Sequence, residues 1–173
     1  MNINECKELQ LTGDLKRAEI CYRKLMKKEN VSSEVLCNLG IICAKTEREE
    51  EATNLFKKIL NLEPNSSIAL NNLALILIKQ QKYDEAIKNF LLALKFNQHT
   101  KTHFNLALVY EKIGKINKAI HNYKAALKID SKNAEAMNNL GNLYYTSGNL
   151  EKAKKYLELS IQTTSKLDSA FNN

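Results

Sequence analysis

Few residues in this chain carry obvious chemical potential. His99 and His103 stand four apart, which puts two imidazoles on one helix face and could ligate a metal. No carboxylate accompanies them, and His99 falls at a helix boundary. Cys6, Cys21, Cys37 and Cys43 include no C-x-x-C pair, so the spacing of a zinc site is missing. With no apolar leader at the start, the four read as free, buried thiols. No Ser/His/Asp or Cys/His grouping, glycine-rich phosphate loop or paired carboxylates can be assembled. The expectation is a protein with no catalytic residues, no metal and no cofactor.

One polar residue does recur at a fixed interval: Asn4, Asn38, Asn72, Asn105 and Asn139, with Asn173 next in line. Asparagine is an indifferent helix former, so helix stability does not explain it. Its carboxamide offers both a donor and an acceptor and can clip the N–H and C=O of a bound main chain. Helices stacked about 10 Å apart would supply one amide per roughly three residues of an extended segment rising about 3.3 Å each.

The elements that must position these amides follow from an internal repeat. Leucine–small pairs set unit starts at Ser33, Ser67, Thr100 and Ala134, with periods of 34, 33 and 34 residues. Projection backwards adds a partial first unit. The organisation is therefore 1–32, 33–66, 67–99, 100–133 and 134–167, with 168–173 beginning a further, truncated unit, so the chain reads as part of a longer array. Within a unit, Leu106, Ala107, Tyr110 and Ile113 form one helical stripe, and Ile116, Ala119, Ile120, Tyr123 and Leu127 the next. Gly114-Lys115 breaks them, giving two antiparallel helices that bury their apolar faces only by stacking on neighbouring pairs. The eighth position is small (Cys6, Gly40, Ala74, Ala107, Gly141) and the twentieth is always Ala. A ring or Leu follows four later (Tyr22, Phe56, Phe90, Tyr123, Leu157), which predicts close helix contact with the large side chain filling the groove beyond. Glu5 stands where the first unit should carry Leu, which predicts a poorly packed first helix.

The bulk properties agree. The chain has 173 residues, 26 Lys plus Arg against 19 Asp plus Glu, one Pro and five Gly, which argues against a turn-rich β protein. No apolar run exceeds six residues (Leu73 to Ile78), whereas a membrane span needs about 20. The expectation is an intracellular, cytoplasmic protein.

The pattern resembles the tetratricopeptide repeat, a 34-residue helix-turn-helix with Leu-Gly, Tyr, Ala, an aromatic and Pro at fixed places. The signature Trp is replaced by Leu36, Leu70, His103 and Met137, and the closing Pro survives only as Pro64. The resemblance implies an all-α, right-handed superhelical solenoid of about ten helices. Its first helices would line a concave groove that binds a protein partner. The amide series, with the string NNLGNLYYTSGNLEKA from Asn138, is similar to the asparagine ladder of O-linked N-acetylglucosamine transferases.

On that frame the groove residues are Asn38, Asn72, Asn105 and Asn139, with Asn71, Leu75, Lys101, Phe104, Leu108, Asn138 and Asn142 on or beside the same face. Cys37 and Ile41 join them, and apolar ligand side chains would seat near Phe104. The expected function is non-catalytic binding of an extended peptide. The alternative is the substrate-recruiting arm of a larger glycosyltransferase. A carboxylate clamp is less favoured, since only Asn72 and Lys101 of its five residues match. Residues 100–133 carry seven Lys against two acids, which raises nucleic-acid binding as a third and weaker reading. Self-association through an uncovered last unit is also expected.

Overall fold

In the computed structural model, which describes residues 2–27 and 31–171 with side chains through Ser165, all regular structure among the described residues is helical. The chain forms two compact units, residues 1–96 and 97–173. The first holds α1 (Ile3–Leu11), α2 (Leu15–Met26), α3 (Ser33–Lys45), α4 (Glu49–Leu62), α5 (Ser67–Lys79) and α6 (Tyr83–Phe96). The second holds α7 (Thr100–Lys112), α8 (Ile116–Ile129), α9 (Ala134–Thr146) and α10 (Leu150–Phe171). Helices pair as hairpins, α1 with α2 through α9 with α10, and within each unit successive hairpins stack. Asn173 and its amide lie outside the described residues. α10 continues unbroken to Phe171, past the point where the sequence register places the next unit.

The small–large pairing sets the helix spacing. A Cβ built on Gly40 would lie 2.9 Å from the Phe56 ring, and one on Gly141 would lie 2.8 Å from Leu157 Cγ. Tyr22, Phe56, Phe90 and Tyr123 are fully buried, as are Ala18, Ala52, Ala86 and Ala119. Burying one such ring contributes a few kcal/mol.

Each hairpin turns at the same register position. Gly13, Gly114 and Gly148 have φ of 83°, 72° and 77°, and Glu47 and Gln81 adopt 62° and 61° there without being glycine. Packing of the two flanking helices overrides the cost of a left-handed backbone at a residue with a Cβ.

α1 forms despite Glu5, because that residue closes a capping box. Glu5 N–H donates to Asn2 Oδ1 at 3.1 Å while the Glu5 carboxylate accepts from Asn2 N–H at 3.3 Å. The helix is nonetheless thinly packed: its one buried side chain is Cys6.

The free-thiol expectation needs correction at two cysteines. Cys6 and Cys21 are joined in a disulfide, with Cα atoms 5.4 Å apart. The close approach of α1 and α2 at the small eighth position brings the pair within bonding range. Cys37 and Cys43 are free.

In the first unit, two hairpins are tied by charge. Arg48 spans both oxygens of Glu19 at 2.6 Å, Arg23 reaches Glu19 at 2.8 Å and Glu51 at 2.6 Å, and Arg48 also meets Glu51 at 3.3 Å. The two guanidiniums, Arg48 foremost, hold the Glu19 carboxyl down to about 2.

Candidate functional site

The first unit carries a groove of about 730 Å³. Its walls come from α1 (Lys7, Gln10, Leu11), α3 (Ser33, Glu34, Cys37, Asn38, Ile41), and the end of α4 with the start of α5 (Ile59, Glu63, Ser66, Ile68). Leu11 and Ile68 expose 86% and 60% of their surface, so the apolar lining is open to a partner. Charge on the rim is largely satisfied within the protein. Lys7 pairs with Glu34, and Ser33 Oγ donates to Glu63 at 2.5 Å. Burial, with Glu34 adding, pushes the Cys37 thiol up to about 11, so it is protonated at neutral pH and no nucleophile.

The recurring amides have different surroundings. Asn38 is half-buried in the groove wall. Asn72 Nδ2 donates to the carbonyl of Ile68, one turn back in its own helix, at 2.8 Å. Asn71 beside it is half-buried, with its side-chain oxygen enclosed and unpartnered. Leu75 is 37% exposed on the same helix.

In the second unit Asn105 is half-buried, and Asn139 Nδ2 donates to Tyr123 Oη at 3.3 Å. Tyr123 in turn donates to Glu111 Oε2 at 2.9 Å. Burial, with the Glu111 carboxylate adding, raises the Tyr123 phenol well above its usual range. Phe104 is half-buried and meets Tyr123 edge-on, with ring centres 5.6 Å apart. Lys101, Leu108, Asn138 and Asn142 are exposed.

The basic helix α8 is less free than its composition suggests. Lys118 lies 5.5 Å from the Tyr110 ring centre, and Lys124 and Lys152 approach the Tyr144 ring at 5.6 and 5.4 Å. These ammonium groups are placed by aromatic faces of their own unit.

Sequence reasoning gave no role to the cluster around His103. Its Nδ1 lies 3.0 Å from Asn122 Oδ1 and its Nε2 2.7 Å from Gln98 Oε1. Asn122 Nδ2 donates to the Lys118 carbonyl at 2.9 Å, which turns its Oδ1 toward the ring. The histidine is a satisfied core residue in the place of the usual Trp, and His99 caps α7 by accepting from Lys101 N–H at 3.2 Å. Among the described residues, no group of three or more His, Cys, Asp or Glu could hold a metal ion, and no helix is long and apolar enough to cross a membrane.

Comparison with known proteins adds the following. Residues 6–119 match the family model of the cilia and flagella-associated protein 70 middle TPR-like domain. Residues 112–148 match a TPR repeat model, and 134–166 a tetratricopeptide repeat model. No curated protein is a significant match to the sequence. Among solved structures, a crystal structure of MamA is 24% identical, with 98% of each chain covered and a TM-score of 0.80. MamA 41-end from Desulfovibrio magneticus RS-1 is 19% identical over 95% of this chain and 94% of that one, with a TM-score of 0.77. These structural likenesses show the fold.

Proposed function

The chain belongs to the family of the cilia and flagella-associated protein 70 middle TPR-like domain, and so to the tetratricopeptide-repeat proteins; on that premise we propose a non-catalytic protein-interaction module that holds an extended peptide segment in the groove of α1, α3 and α5. The observation that carries this reading is the 730 Å³ groove, which joins exposed apolar side chains to an amide at Asn38. Leu11, Ile41 and Ile68 would seat apolar side chains, and Asn38 would hold main chain. The volume falls within the usual range of about 300–1,000 Å³ for a ligand cleft. In the second unit, Asn105, Phe104 and Leu108 with Lys101, Asn138 and Asn142 would form the corresponding face of α7 and α9.

The glycosyltransferase-arm alternative requires a run of amides free to grip main chain. It is disfavoured because Asn72 and Asn139 each spend a donor inside the protein. Self-association has one supporting observation: Leu150 and Ile161 of α10 are 63% and 68% exposed. Concentration-dependent mass would reveal it.

A displayed library of extended peptides, selected against the purified chain, tests the main reading. Ile68→Glu, at a side chain 60% exposed in the groove, and Asn38→Ala should each weaken a selected peptide at least tenfold while Tm moves by only a few °C, about the shift of 1 kcal/mol or less. Peptides that bind both variants as tightly as the parent would overturn it.

A further inference from the structure

We infer that the Cys6–Cys21 disulfide is a redox latch on the groove. The inference rests on the groove reading for its functional consequence, though not for its structural test. α1 supplies one whole wall of the groove through Lys7, Gln10 and Leu11. Yet it has only nine residues, too few to be helical alone in water, where isolated helices shorter than about 12–15 residues are marginal. Tertiary contact must hold it, and that contact is thin. Its one fully buried side chain is Cys6, half of the disulfide. Ile3 and Leu9 are only partly buried against the core. α1 also forms the Lys7–Glu34 ion pair, with side chains 41% and 52% exposed, and exposed pairs of this kind contribute little.

The later hairpins show the contrast. α3 buries five side chains as well as Gly40, and α7 buries six, so neither needs a covalent tie. At the same register position they carry Gly40 and Ala107, where α1 carries Cys6. The covalent bond thus stands in for hydrophobic burial in α1.

Reduction by a dithiol balances simply. One thiolate of the reductant attacks a cystine sulfur and forms a mixed disulfide, and its second thiol closes the oxidised reductant. Cys6 and Cys21 leave as two thiols, having gained two electrons and two protons. Both cysteines are fully buried, so attack follows local opening of α1 rather than direct access. With the tie gone, α1 undocks, the wall of Lys7, Gln10 and Leu11 is lost, and the groove opens on that side. The oxidised chain is the binding-competent form.

Hydrogen exchange read by mass spectrometry on the full chain, with and without dithiothreitol, tests this. Thiol titration in denaturant should give two thiols before reduction and four after. Amides of α1 should then lose at least tenfold in protection, while those of α3 and α9 stay unchanged. Cys6→Ser/Cys21→Ser should reproduce the reduced pattern and ignore dithiothreitol. Unchanged α1 protection in both the reduced chain and the double variant would overturn the latch. No peptide enters these measurements, so failure of the latch and failure of peptide binding are separate results. Where a selected peptide is in hand, equal affinity for oxidised and reduced chain would also count against gating.

Discussion

Asn139 donates its amide to the hydroxyl of Tyr123, a residue of the preceding hairpin, at 3.3 Å. The equivalent hydroxyl in the first hairpin, on Tyr22, is buried and has no partner. The two hydroxyls differ in their neighbours. Glu111 accepts from Tyr123, while Gln10 occupies the matching place in the first unit and lines the groove instead. Two phenols that look alike in sequence should therefore respond oppositely to loss of oxygen. Tyr123→Phe leaves Asn139 and Glu111 without their partner and should cost about 1–2 kcal/mol. Tyr22→Phe removes an unsatisfied buried hydroxyl and should be neutral or stabilising. Urea denaturation of the two variants checks the pair.

Acid should weaken the first unit by a separate route. Glu19 has its folded value lowered to about 2 from 4.5, so the stability it contributes is fully present above pH 4.5. That contribution is lost progressively as pH falls from 4.5 toward 2. Partial exposure of Arg23, Arg48 and Glu51 screens the pairs, so the effect is on the order of 1–2 kcal/mol. Glu19→Gln should flatten this part of the pH profile, measured as the urea midpoint between pH 6 and pH 2.5.

Gly141 is held small by its neighbour. Gly141→Ala would gain about 1 kcal/mol of helix propensity. The new methyl would lie 2.8 Å from Leu157 Cγ and 3.2 Å from the Leu157 backbone nitrogen, and backbone cannot swing aside. Overpacking of this kind costs about 1–3 kcal/mol, so a net fall in Tm is expected. Thermal melting followed by circular dichroism reads it.

At the hairpin turns the sign reverses. Glu47 and Gln81 hold a left-handed backbone that glycine adopts without cost. Gln81→Gly should stabilise by about 0.5–1 kcal/mol. The same change at Lys88, exposed in the middle of α6, should destabilise by about 1 kcal/mol, and urea denaturation of both variants checks the contrast.

Much of the architecture was legible because it depends on a volume pattern. A small residue facing a ring shows directly in composition at fixed spacing, as at Gly40 and Phe56. The amide series was equally visible, but the state of each amide was not. Whether Asn139 is pinned depends on Tyr123 one hairpin back, and Asn72, whose counterpart there is Phe56, turns to its own helix carbonyl instead. The disulfide was missed because sequence spacing alone does not say that positions 6 and 21 face each other across a hairpin. His103 read as half of a pair with His99, since Asn122 and Gln98 become its partners only when the hairpin closes and the loop folds over it.

The shared turn geometry has a wider consequence. Five loops bend alike although three are built on glycine and two on a long polar side chain, so the bend is imposed by the helices on either side and not by the residue at the corner. Corners that merely obey can drift, acquire charge or take a tag, and they become interchangeable parts: a chimera that trades one corner for another should keep both the stacking and the side chains that face a guest.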